Sequence, residues 1–175
     1  ETDTRRLDRL RGLSAGGSRY STALLRSGTI IPNLPAKLPT DILRQRPDLA
    51  IHKFARLISE GRSIPMFGDG SSERDYTYID DILQGIHASI DLLQRSEPVF
   101  EIVNLGESRT VSLREMIQVL GEEMGVEPVV EQKPMQPGDV LRTYADVSRA
   151  GALLGYLPSV DFREGVRGFL EWFNE

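Results

Sequence analysis

IPMFGDGSSERDYTYIDDI, residues Ile64 to Ile82, sets a short apolar run, a glycine turn, one arginine and a helix start within nineteen residues. Ile64, Met66 and Phe67 read as a buried strand. Gly68-Asp69-Gly70 ends it, because glycine adopts the positive φ that a reversal into a loop requires. After the serines, Arg74 precedes Asp75-Tyr76-Thr77-Tyr78, whose alternation is that of a second short strand, and Asp80 stands where an N-cap would open a helix. Arg74 is thereby expected on a turn between ordered elements. A guanidinium fixed there presents forked donors to a phosphate or carboxylate, a geometry lysine cannot match. The plain alternative is a surface ion pair with Asp75 or Asp81.

Downstream, apolar residues recur at helical spacing. Leu49, Ala50, Ile51, Phe54, Leu57 and Ile58 form one stripe, with Asp48 as the expected cap and Gly61 as the stop. Ile82, Leu83, Ile86, Ile90 and Leu93 form a second. Phe100 to Leu105 reads as a buried strand closed by Gly106. Ser112 and Glu115 have capping-box spacing ahead of a helix that stops at Gly125. Val129-Val130 is extended, Asp146 or Ser148 caps a short helix to Gly155, and Phe162 to Phe173 closes the chain with an aromatic stripe that includes Trp172, which belongs to the core rather than to a ligand platform. No internal repeat is present.

Residues 1 to 43 differ in character. They begin with a charged run, continue through AGGSRYS, and place three prolines between Pro32 and Pro39. Proline at that density breaks helices and central strands, so an irregular or disordered lead is expected there, and an ordered domain over 44 to 175. The lead's arginines give a basic bias that reads as a solvated tail.

Bulk properties exclude several classes. A net charge of −5 argues against non-specific nucleic-acid binding, while leaving room for a local arginine site. Without cysteine there are no disulfides, thiolate metal sites or cysteine nucleophiles. His52 and His87 are expected to be structural or exposed, and no carboxylates at metal spacing join them. No apolar run approaches the ~20 residues of a membrane span, and the expectation is a soluble, cytoplasmic protein.

FGDGSSERDYTYIDDI resembles the characteristic segment of extended short-chain dehydrogenases/reductases acting on nucleotide sugars. Arg46-Pro47-Asp48-Leu49-Ala50-Ile51, Asn104-Leu105-Gly106 and Met135-Gln136-Pro137-Gly138-Asp139-Val140 resemble the UDP-glucuronate 4-epimerase branch. The similarity runs from about Gln45 to Phe173. It implies an α/β fold, the C-terminal substrate-binding portion of a Rossmann-type enzyme, with a small mixed sheet, helices and an irregular lead. It also implies site roles: Arg74 on the ligand's diphosphate, Asp139 accepting from the ribose diol, Ile64, Met66 and Phe67 lining the base, and Arg46 meeting a sugar carboxylate. Gln136 stands where many relatives carry a second diphosphate arginine. The implied partner is a UDP-sugar, UDP-glucuronate or UDP-galacturonate, together with a Rossmann-domain partner or a second copy of the chain.

NAD is the cofactor of the resembled family, yet no G-x-G-x-x-G or G-x-x-G-x-x-G occurs here, and no tyrosine is followed four positions later by lysine. The expectation is therefore a nucleotide-sugar-binding domain that is inactive by itself, the alternatives being a non-catalytic binding or sensor module and a non-functional truncated product. Codons that encode residues 8 to 14 permit Thr-Ala-Tyr-Gly-Ala-Ser one base out of frame, and Asn33-Leu34-Pro35-Ala36 permits Thr-Cys-Leu-Arg. The lead is accordingly read as a frame-shifted version of the missing catalytic helix and strand.

Overall fold

The computed structural model describes residues 50–94 and 99–175 in full, together with the backbones of 22–27 and 29–31. Arg46, the Asp48 cap and the frame-shift reading of the lead lie outside the described residues.

Among the described residues, eight strands and five helices follow one another along the chain. β1 (Thr22–Ser27) and β2 (Thr29–Ile31) precede α1 (Ala50–Ser59), β3 (Ile64–Phe67) and β4 (Glu73–Tyr78). Then come α2 (Ile79–Leu93), β5 (Phe100–Leu105), β6 (Thr110–Ser112) and α3 (Leu113–Met124). β7 (Val130–Lys133), β8 (Arg142–Thr143), α4 (Ser148–Leu154) and α5 (Phe162–Phe173) complete the order. β1 and β2 fall inside the segment expected to be irregular. Their sequences, TALLRS and TII, are rich in β-branched residues and leucine, and each finds a parallel partner.

The pairing is mixed and mostly long-range. β1 runs parallel to β5 from Thr22↔Phe100 to Ser27↔Leu105, and β3 runs parallel to β7 from Ile64↔Val130 to Phe67↔Lys133. β4 is the hub. It pairs parallel with β2, antiparallel with β6 and parallel with β8, so that Arg74 stands in register with both Val111 and Thr143. The expectation of Arg74 on a turn is thus corrected: it is the second residue of a strand, held by two neighbours.

The helix starts show which local signals decide. Ser112 caps α3, its side chain accepting from the Glu115 amide at 3.1 Å, and Gly125 ends that helix in the left-handed region. Asp80 does not cap α2. Helix α2 follows β4 without a break, its N-cap is Tyr78, and no side chain closes it. The neighbouring Asp81 is buried instead, accepting from the amides of Ser159 and Val160 at 3.0 and 3.1 Å, which fastens the start of α2 to the segment before α5.

Two apolar clusters hold these elements. The larger joins α1, α3 and α5 to β3 and β4 through Phe54, Ile58, Ile64, Tyr76, Met116, Leu120, Val166 and Phe169. In it, Phe169 packs tilted against both Trp172 and Phe173, with His52 edge-on to Phe169 and Phe173. Burial and the nearby Arg56 cation lower the His52 pKa. The smaller cluster brings α2 and α4 onto β5 through Ile82, Val103, Leu105, Ala150 and Tyr156. Gly85 allows that contact, since a Cβ there would sit 2.5 Å from a Leu105 methyl. No described helix is long and apolar enough to cross a membrane.

Candidate functional site

A cavity of about 440 Å³ opens between α1, β3, the start of β4, the first residue of α3 and the Gln136–Asp139 turn. That size is in the range of small-molecule sites, about 300–1,000 Å³. Its apolar lining comes from Phe54, Pro65, Phe67, Tyr76 and Leu113, and its polar lining from Lys53, Ser72, Arg74, Gln136 and Asp139. Strand alternation sorts the β3 residues. Ile64 and Met66 are buried in the core at 0 % and 7 % exposure, while Pro65 and Phe67 face the cavity. Of the expected base-lining residues, only Phe67 is therefore at the cavity wall.

Arg74 and Asp139 meet there. Arg74 Nη2 donates to Asp139 Oδ1 at 2.7 Å, and Nη1 donates to the carbonyl of Glu73 at 2.8 Å. Neither Asp75 nor Asp81 takes part in this ion pair. Asp139 is placed by a turn in which its amide donates to the Gln136 carbonyl at 3.2 Å and Gly138 has φ +84°, a conformation suited to glycine. Gln136, Arg74 and Asp139 are thus brought together from parts of the chain more than sixty residues apart. Tyr76 is buried beside them, and burial raises its phenol to about 12, so it stays protonated at neutral pH.

The glycine turn next to the cavity is built to keep its shape. Asp69 Oδ1 accepts from the amide and hydroxyl of Ser71 at 2.9 and 2.6 Å, bonds that hold its carboxyl below the usual range. Arg114 Nη2 donates to the Asp69 carbonyl at 2.6 Å, and the Arg114 amide to Gly70 at 3.0 Å. Gly70 has φ +80°, and a Cβ there would fall 2.7 Å from the Met66 sulfur.

A second polar group lies outside the cavity. Buried Asp75 accepts from the amides of Glu107, Ser108 and Ala145 at 2.9, 3.3 and 3.0 Å, and from the Thr77 hydroxyl at 3.1 Å. Beside it, Glu107 Oε2 is buried without a hydrogen-bond partner. Burial, and then the carboxylates of Asp81 and Asp75, push Glu107 up to about 7. Tyr156 donates to the Gly106 carbonyl at 3.1 Å and is raised for similar reasons, burial first.

Residues 43–169 match the model of the family described as GDP-mannose 4,6 dehydratase. The chain belongs to that family. Within this group of NAD-dependent epimerases and dehydratases, extended short-chain dehydrogenases/reductases, its relatives include UDP-glucuronate 4-epimerases. An uncharacterized protein of Methanocaldococcus jannaschii is 42% identical over 130 residues, covering 74% of this chain and 39% of the relative. A UDP-glucuronate 4-epimerase of Thermodesulfobacterium geofontis is 37% identical over 131 residues, again with 74% and 39% coverage. The crystal structure of UDP-glucuronic acid 4-epimerase from Bacillus cereus, in complex with UDP-glucuronic acid and NAD, superposes with a TM-score of 0.71 at 29% identity over 87% of this chain and 45% of that one. The chain thus spans about two-fifths of the length of these curated relatives.

β4 passes into α2 through Tyr78-Ile79, and β6 passes into α3 through Ser112, so neither junction contains glycine. Sequence reasoning also missed Lys53, Pro65, Ser72 and Tyr76 as cavity residues. The signal for Pro65 was its alternation against Ile64 and Met66; for Lys53 it was the spacing to Ala50 and Phe54 on one helical face.

Proposed function

We propose that the cavity binds the nucleotide diphosphate of a UDP-sugar, and that the chain supplies the substrate-binding portion of a UDP-glucuronate 4-epimerase-like enzyme. The observation that carries this is the Arg74–Asp139 pair at 2.7 Å in a cavity that also holds Phe67 and Gln136. A guanidinium for phosphate, a carboxylate for a vicinal diol and an aromatic edge for a flat base are the three chemistries that a uridine diphosphate requires, in one small volume. Phe67 and Pro65 take the base-lining role. Ile64 and Met66 support the strand from its core side.

In this reading Arg74 orients the diphosphate and Asp139 fixes the ribose, which positions the sugar without touching its reacting carbon. Arg46 is assigned to a uronate carboxylate, making UDP-glucuronate or UDP-galacturonate the preferred ligand. NAD, when bound by the complete enzyme, supplies reversible hydride transfer at the sugar. Its pyrophosphate cradle and a tyrosine–lysine base must come from residues other than those described here. A Rossmann-domain partner on another chain fills that need.

Titration calorimetry with UDP-glucuronate, UDP-glucose and uridine tests the proposal. UDP-glucuronate should bind more tightly than UDP-glucose, with the difference erased by Arg46→Ala. Adding NAD to the chain alone should produce no epimerised product. Failure of every uridine nucleotide to bind would refute the assignment of the cavity.

A further inference from the structure

We infer that Lys53 supplies the second positive charge for the ligand's diphosphate. This rests on the uridine diphosphate assignment above and specifies how that site balances its charge. Among the described charged residues that line the cavity, Arg74 and Asp139 already neutralise each other, which leaves Lys53. A diphosphate brings about two negative charges, so the Arg74–Asp139 pair alone would leave an excess negative charge partly out of water, an unfavourable state.

Lys53 is placed and left free for this. Ala50, Lys53 and Phe54 share one face of α1, and all three line the cavity. The helical neighbours that could reach Lys53 at three- and four-residue spacing are Ala50, Arg56 and Leu57, none of them acidic. Arg56 turns to Glu60 instead, donating to its carboxylate at 2.8 Å. Among the described residues Lys53 makes no ion pair, in a chain where Arg142, Arg149, Arg163 and Arg167 are each matched to a glutamate. A flexible ammonium at the end of an exposed stem can follow either phosphate, whereas the Gln136 amide, also at the cavity, donates without charge.

The test compares uridine with UDP as calorimetric probes on the full chain, using Lys53→Gln, Lys53→Arg and Arg74→Ala. For Lys53→Gln, UDP affinity should fall about ten-fold at low salt while uridine affinity is unchanged, and the salt dependence of UDP binding should become shallower. Lys53→Arg should stay near wild type. Circular dichroism should match throughout, since the side chain is exposed. If Arg74→Ala loses UDP but Lys53→Gln does not, the inference is overturned while the site assignment stands. Equal losses for uridine and UDP would also overturn it, by reducing Lys53 to a packing role. If the wild-type chain binds neither probe, the site assignment falls and the inference with it.

Discussion

Arg74 and Asp139, 65 positions apart, hold each other at 2.7 Å on the wall of the cavity, one from the hub strand and the other from a glycine turn. A ligand diphosphate would find the guanidinium already oriented. Arg74→Ala should weaken every UDP-sugar by about 1.5–3 kcal/mol, the range for a lost hydrogen bond to a charged group. The loss should be the same for UDP-glucose and UDP-glucuronate in calorimetric titrations, because the interaction does not read the sugar.

Asp139→Ala should act on the ribose. Affinity for UDP should drop about ten-fold, and the drop should largely vanish for 2′,3′-dideoxyuridine diphosphate, which lacks the diol. A loss of equal size with both nucleotides would mean that Asp139 serves only to orient Arg74.

Glu107 makes stability depend on pH. Its carboxyl is raised from 4.5 to about 7 in the fold, so above 4.5 the unfolded chain releases a proton that the folded chain retains. Its contribution is fully present below 4.5 and is lost as pH rises through 7. His52 has the opposite sign, its lowered pKa removing stability as pH falls through 6.5. Urea midpoints should show Glu107→Gln gaining on wild type between pH 5 and pH 8. A constant offset between the two proteins would contradict the placement of Glu107.

Gly85→Ala should be costly although the site is helical. The added methyl would lie 2.5 Å from Leu105, a side chain only 1 % exposed, and α2 would have to move off β5. Overpacking of this kind costs about 1–3 kcal/mol, readable as a lower urea midpoint. Gly125→Ala, where no atom lies within 4 Å, tests backbone conformation without the clash.

Periodicity made α1, α3 and α5 legible with their buried faces, but for α2 it found the helix and not the face: Leu83 and Ile90 are 40 % and 48 % exposed, while Asp81, Gly85 and Ser89 are buried. Strand pairing was not legible. Nothing local in TALLRS says that it will lie beside FEIVNL, and the proline-rich context around TII argued against any strand. Arg74 was assigned to a turn because its flanks are polar; its two pairings depend on residues 37 and 69 positions away. The motif resemblance selected Arg74, Gln136 and Asp139, all of which reach the cavity. It also selected Phe67, which reaches the cavity, and Ile64 and Met66, which do not; strand parity puts Pro65 on the Phe67 side. Asp80 was misread as a cap because a strand that enters a helix directly leaves no turn to be capped.

One carboxylate, Asp75, receives the amides of Glu107, Ser108 and Ala145 from two separate loops. Glu107 donates to Oδ1, and Ser108 and Ala145 to Oδ2, of this one side chain, so a movement of the Asp75 carboxylate exposes all three protons together. In native-state hydrogen exchange they should report a single opening event with a common free energy, while amides elsewhere in the same loops exchange faster. Asp75→Asn keeps an oxygen for part of this set but turns the other position into a donor facing donors, and should split the event in two.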